Sequence, residues 1–319
     1  MNKVDFSLFF QNCLIAAQQV IILYLIVAVG FICDKKKIFT EKTARAANDL
    51  LFYIITPCVI INSFLTTEFS PETSKGFLLA ALGGAVTHIL GIVLAEPFFR
   101  KKDNNNNAVF KFACVYGNMG YMALPLAEAV LGSEGVFYCS AGVIVFQVFT
   151  FTHGIWQMNR GKGAAEKFSP KKLFFNPGVI AVCIGLPFFL LKIKLPEIIM
   201  SPVSFIGSMN TPLAMLMLGT YMSNAGLKTI FKNKEQYLVA VIKIIAVPAV
   251  FYVIMKTTGI LTGALFTACM IQASAPSANN TVMFAAKYGR DTGVASKTVA
   301  FVSFASILTM PVMIALTQV

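Results

Sequence analysis

Three stretches of this chain, Phe6 to Cys33, Ile198 to Leu227 and Thr257 to Ala286, contain no Lys, Arg, Asp or Glu. Each is longer than the roughly 17–25 apolar residues a helix needs to cross the hydrocarbon core of a bilayer. A water-soluble chain buries its helices through an amphipathic periodicity and has no use for such runs. With no water in the bilayer interior, backbone N–H and C=O groups must be satisfied within the segment, so apolar runs of this length become helices. Composition agrees. Of the 319 residues 57% are hydrophobic and 13% are charged, against about 25% charged in soluble domains. The chain reads as an all-α integral membrane protein.

Apolar runs between charged or Gly/Pro breaks place ten transmembrane helices near 10–33, 46–67, 75–98, 107–129, 134–157, 176–192, 197–225, 235–256, 260–286 and 293–317. The first run is too long for a signal h-region, and Lys35 to Lys37 follow it, so it reads as a retained helix. The seven cysteines are scattered through apolar segments with no CxxC pair; neither a disulfide framework nor a metal site is suggested, and no cofactor is expected. The longest connection, 159–175, is basic and divides five spans in 1–158 from five in 176–319. Of the 26 basic residues, twenty fall on alternate connections that include this linker, five fall on the other side, and Lys243 alone sits within a span. Basic loops stay in the cytoplasm. The expectation is a multi-pass protein of the plasma or inner membrane with both termini outside and a cytoplasmic linker. The same distribution accounts for the net charge of +12 with the lipid bilayer, not nucleic acid, as partner.

Five spans per half is an odd number, so the second half must lie upside down relative to the first. Thr56-Pro57 recurs as Thr211-Pro212 and Ala113-Cys114 as Ala268-Cys269, each at an offset of 155, and Gly132-Ser-Glu-Gly-Val resembles Gly289-Arg-Asp-Thr-Gly-Val. Two inverted five-helix repeats are the architecture by which secondary transporters alternate access around a midplane site, and corresponding helices broken by Gly or Pro point to that site. Here they are the fourth, Tyr116-Gly-Asn-Met-Gly-Tyr-Met-Ala-Leu-Pro125, and the ninth, Gln272-Ala-Ser-Ala-Pro-Ser-Ala-Asn-Asn-Thr281. Helices broken at Pro125 and Pro276 would aim their N-termini, which carry partial positive charge, at one place. That suits an anion. Pro57, Pro212, Pro248 and Pro311 are read instead as kinks packed in the bundle.

The segments Gly117-Asn-Met-Gly-Tyr-Met-Ala-Leu-Pro-Leu126, Pro212-Leu-Ala-Met-Leu-Met-Leu-Gly219, Ala275-Pro276 and Phe284-Ala-Ala-Lys-Tyr288 resemble the auxin efflux carrier family, whose bacterial members include permeases named for malate and malonate. The resemblance covers nearly the whole chain, with Asn118, Pro125 and Pro276 on the family's broken-helix positions. It implies a fold shared with bile-acid symporters and sodium/proton antiporters. Spans 1, 2, 6 and 7 would form a scaffold, and spans 3–5 and 8–10 a core moving as an elevator. The crossing of helices 4 and 9 would hold a carboxylate, and a homodimer is implied. The large mid-chain loop of the plant members is absent here, so loop-based regulation is not expected.

Among the residues, Asn118 is the leading candidate, because an amide donates to a carboxylate without burying a second charge. Asn279 and Asn280 would be its counterparts from the other repeat, supported by Gln272, Ser274 and Ser277 around Pro276, with Asn62 facing the site from the scaffold or lining a helix contact. Ionisable side chains at membrane depth are functional candidates by default: Lys243, His88 and Glu128. Lys243 would set a fixed positive charge beside the crossing or exchange a proton, against the alternative of snorkelling to the interface. His88 is equally a hydrogen-bonded packing residue, and Glu128 equally a group at the water boundary. A transporter of a small mono- or dicarboxylate, such as malate, malonate or an auxin-like acid, is the reading preferred. A channel-like or ligand-sensing protein of the same fold is the alternative. A membrane-embedded hydrolase is disfavoured, since His88 and His153 are the only histidines and no HExxH or paired intramembrane Asp occurs.

Overall fold

The computed structural model describes residues 6–100, 106–160, 175–224 and 233–318. Most of the 159–175 linker therefore lies outside the described residues. What is described is helical: α1 (Phe6–Lys35), α2 (Glu41–Thr66), α3 (Pro71–Ala95), α4 (Asn107–Val115), α5 (Met119–Asn159), α6 (Pro177–Leu191), α7 (Glu197–Asn224), α8 (Lys234–Thr258), α9 (Gly263–Ser274), α10 (Asn280–Lys287) and α11 (Thr292–Leu316). Seven of these, α1, α2, α3, α5, α7, α8 and α11, are long and apolar enough to cross a membrane, and α6 and α9 are shorter apolar helices. The chain is a multi-pass, all-helical membrane protein. Leu25, Leu78, Val253, Ile198 and Leu308 point outward. An apolar exterior on this scale is a liability in water and is what acyl chains require.

Local chemistry explains the element ends. Ser70 caps α3 with a reciprocal capping box to Thr73, Asn176 caps α6 ahead of Pro177, and Asp291 accepts from Val294 N at the start of α11. Such caps satisfy N–H groups that have no partner within the helix. α5 breaks at Gly132, whose φ of 64° and ψ of −151° suit only a residue without a Cβ.

Three of the prolines inside the long helices follow a pattern. Pro57, Pro125 and Pro248 each come just after a π-helical segment, Leu51–Ile55, Met119–Ala123 and Val241–Ala246. The residue before each proline donates five back: Thr56 to Leu51, Leu124 to Met119 and Val247 to Ile242. A proline ring crowds the carbonyl four residues earlier and offers no N–H. Widening the turn ahead of it spares that carbonyl, so the helix continues. Lys243 rides on one of these wide turns.

α1 packs along α7 and α11, α3 and α9 pack on α5, and α2 packs on α6. Phe64, Phe77, Phe137 and Phe189 knit α2, α3, α5 and α6 together, with ring centroids of Phe137 at 4.9 Å from both Phe64 and Phe189. Each such pair contributes about 0.5–1.5 kcal/mol beyond its area. These contacts fix the frame in which α4, α9 and the N-terminal turns of α5 and α10 meet.

Candidate functional site at the helix crossing

Regular helix is lost at two places that lie against one another. α4 ends at Val115, Tyr116 (φ −94°, ψ 110°) is extended, and Asn118 (φ −76°, ψ 74°) turns the chain into α5, with Met119 N donating to Gly117 O at 2.9 Å. α9 ends at Ser274, and Ala275 (φ −58°, ψ 134°) starts a second extended stretch up to Ala278. The stretches cross as one antiparallel bridge with Gly117 opposite Ser277. Asn118 N donates to Pro276 O at 2.7 Å, and Ala278 N donates to Tyr116 O at 2.9 Å. Unpaired backbone at membrane depth is tolerated only where protein or a polar cavity satisfies it, and here each break supplies the other. Ser277 Oγ adds a bond to Ala113 O at 2.8 Å, closing a carbonyl at the end of α4. A side chain at position 117 would be crowded: a Cβ there would stand 3.2 Å from Lys243 Nζ and 3.3 Å from Ala275 O.

Four helix ends converge on this crossing, two of each sign. The C-termini of α4 and α9 present carbonyls, the negative ends of their dipoles. Lys243, fully buried, lies against Gly117 and donates to Ala273 O at 3.4 Å. The N-termini of α5 and α10 present N–H groups. Asn118 Oδ1 caps α5 by accepting from Tyr121 N at 3.2 Å, which turns the amide nitrogen the other way. That Nδ2 is buried and has no protein acceptor, a deficit of about 1–3 kcal/mol unless water or a ligand accepts from it. Asn279 caps α10 without a side-chain bond to the helix.

The side chains enclose a pocket of about 70 Å³ lined by Asn118, Asn279 and Asn280 together with Phe52, Thr56, Tyr121 and Gln147. A wider cavity of about 470 Å³, lined by Glu41, Arg45, Asn48, Asp49, Tyr221 and Asn279, lies beside it. Phe52, Thr56 and Gln147 are not among the candidate site residues of the sequence, where Thr56 marks only the repeat. They come from α2 and α5, and only the three-dimensional packing brings them to the crossing. Asn48 and Asp49 of α2 line the wide cavity.

The other candidates fall outside this pocket. Pro125 is buried in continuous helix after the wide turn, so the fourth helix breaks at Tyr116–Asn118, ahead of the proline, because the π segment absorbs it. Pro276 lies within the second break and gives its carbonyl to the crossing. Ser274 Oγ bonds back to Met270 O at 2.8 Å, and the Gln272 amide packs against Gly142 of α5. Asn62 and Glu128 share a separate cavity of about 80 Å³ with Ser63, Ser133, Ser204 and Ser208, where Glu128 Oε2 accepts from Thr211 Oγ1 at 3.1 Å. His88 Nδ1 is 2.7 Å from Gly84 O, and its ring stacks on Phe149 at 5.0 Å and lies 5.8 Å from Tyr116. Lys243 thus touches the crossing at Gly117, and His88 approaches it through the Tyr116 ring.

Comparison with known proteins bears on what such a crossing is for. A family model described as membrane transport protein matches residues 15–169 and 164–314. An uncharacterized transporter of Methanocaldococcus jannaschii is 25% identical over 285 residues, covering 85% of this chain and 89% of that protein. A Rhizobium meliloti (strain 1021) protein named "Putative malonate transporter" is 22% identical over 276 residues, covering 82% of this chain and 83% of that protein.

Proposed function

We propose, for a chain that belongs to the membrane transport protein family, the auxin efflux carriers of the sequence resemblance, that it is a secondary active transporter of a small organic carboxylate. The observation that carries this reading is the unpartnered Asn118 Nδ2 in a pocket shared with Asn279 and Asn280. Amide donors and helix N-termini stabilise a carboxylate without a buried cation of their own. Malonate enters as a first substrate to test because one relative bears that name; malate and auxin-like acids are the neighbouring choices.

In this reading ten spans form two inverted five-helix repeats, with α4 and the part of α5 ahead of Gly132 as span 4, the rest of α5 as span 5, and the split helix α9–α10 as span 9. Spans 3–5 and 8–10 move as an elevator against spans 1, 2, 6 and 7, with both termini outside and the linker in the cytoplasm. Substrate contacts are Asn118, Asn279 and Asn280. Pro276, Ser277, Ser274 and Gln272 hold the second break in shape, and Pro125 continues α5 behind the site. Lys243 supplies the positive charge that the carbonyl ends of α4 and α9 require, a place that a bound cation could otherwise fill. His88 and Glu128, with Asn62 beside Glu128, are the further coupling candidates, and two chains pair as a dimer.

The test is uptake of radiolabelled malonate, malate and related acids by liposomes containing the purified protein. Saturable uptake with counterflow is the expected result. Folded protein that moves no acid across a broad panel overturns the proposal, and flux that does not saturate favours a channel.

A further inference from the structure

The small pocket at the crossing and the wide cavity share one lining residue, Asn279. A contact between side chains from different helices also links the two linings. Tyr121, on the first turn of α5, lines the pocket, and Asn48, on α2, lines the wide cavity. The Tyr121 hydroxyl donates to Asn48 Oδ1 at 2.7 Å. Tyr121 is also tied to the site through its backbone, since its N–H is the donor that holds Asn118 Oδ1.

We propose that the Tyr121–Asn48 hydrogen bond is a gate between the pocket and the wide cavity, through which a small carboxylate reaches Asn118 and Asn279. The cargo in this statement rests on the function proposed above; the gate itself rests on the two cavity linings and the bond between them. A single bond between uncharged groups is held weakly once water can replace it, and a tyrosine ring can swing aside by a rotamer change without moving its helix. Closed, the ring and the Asn48 amide stand between the cavities. Open, the phenol leaves Asn48 and the passage beside Asn279 widens. The gate is coupled to the site by the turn that carries it. The bond from Tyr121 N requires the amide oxygen of Asn118 at that end and so directs Nδ2 to the ligand. A ligand that draws on Nδ2 pulls on the same turn that positions the Tyr121 ring.

Accessibility of a thiol in the pocket tests this without reference to any substrate. Gly120 lines the pocket, and a Cβ at that position meets nothing within 4 Å, so Gly120→Cys is a mild reporter. The full-length protein carrying it is treated with a small water-soluble methanethiosulfonate, and labelling of that one peptide is followed by mass spectrometry, so that native cysteines do not interfere. Tyr121→Phe and Asn48→Ala each remove the bond and are expected to accelerate labelling about 2- to 10-fold. Their combination is expected to be no faster than the faster single variant, because both remove the same interaction. Labelling at the parent rate in both single variants, or effects that multiply in the double variant, overturn the gate. So does a parent thiol that already reacts as fast as a free peptide. If labelling behaves as expected and liposomes take up no organic acid, the gate stands and the assigned cargo falls.

Discussion

The two breaks at the crossing reach the same geometry by different means. The second contains its proline: Pro276 lies in the extended stretch, and Ala275 before it is held at ψ 134°, as the residue preceding a proline prefers. The first contains none. Its proline lies beyond it in continuous helix, and the chain opens at Tyr116–Asn118 around Gly117 and a side-chain cap. A proline therefore does not by itself locate a break in a membrane helix. Prolines 57, 125 and 248 all ride behind wide turns. The chain opens where its freed N–H and C=O groups have partners elsewhere, and at this crossing the partners are each other.

Asymmetry extends to charge. Lys243 stands at the carbonyl end of the crossing, donating to Ala273 O of the second break's helix while abutting Gly117 of the first. Replacing it by methionine keeps the volume and removes the charge from both breaks at once. A unit charge about 4 Å from a bound anion contributes about 4 kcal/mol at an effective dielectric constant of about 20. Carboxylate uptake by Lys243→Met is therefore expected to fall more than about 100-fold, while thermal denaturation in detergent changes little, since an apolar replacement relieves desolvation. Undiminished uptake would break the view that one cation serves both ends.

The next largest effect separates the asparagines. Asn118 caps its helix and presents a buried donor, whereas Asn279 is half-buried and makes no cap bond. A hydrogen bond to a charged ligand contributes about 1.5–3 kcal/mol, so Asn118→Ala should weaken carboxylate affinity about 10- to 100-fold. Asn279→Ala should weaken it about 2- to 10-fold. Ligand-induced thermal shifts measured against malonate concentration read both. Equal losses would mean that the two breaks contribute alike. Gly117→Ala comes third. Its Cβ would crowd Lys243 Nζ and the rigid Ala275 carbonyl, and overpacking of this kind costs about 1–3 kcal/mol, read as a lower melting temperature; an unchanged one would show that the crossing yields to make room.

Much of the crossing was legible in the sequence, and the reason is polarity. Asn118, Asn279 and Asn280 stand out because an amide amid apolar residues at membrane depth needs a partner. The charge-free runs were equally plain. What did not show was which face of each helix points inward. In water an amphipathic stripe reports this, but lipid is as apolar as a packed interior, so Phe52, Thr56 and Gln147 carried no mark of their place at the site. Asn62 and Glu128, polar and mid-chain like Asn118, proved to line a different cavity, for the same lack of a facing signal. The position of the first break is hidden because Pro125 follows a π turn that absorbs it, and a wide turn has no sequence signature as clear as the proline itself.

The smallest effect is the sharpest test of that lesson, because it turns on sign. In Pro125→Ala the chain gains a helix-favouring residue and an N–H inside continuous helix. Against that gain, worth up to about 3 kcal/mol in a regular interior and much less behind a turn already widened, stands the extra freedom of the unfolded chain, about 0.4–1 kcal/mol. Stability should be unchanged or slightly raised. In Pro276→Ala the same entropic loss applies with no helix to gain from it, and Ala275 is released from its extended conformation. The carbonyl of residue 276 can then drift from Asn118 N, the 2.7 Å bond that ties the breaks together. Stability should fall by about 0.5–1.5 kcal/mol. Paired denaturation curves in one detergent decide it: a Pro125→Ala protein destabilised as much as Pro276→Ala would mean that the two prolines do the same work, and that the distinction between the breaks is one of appearance.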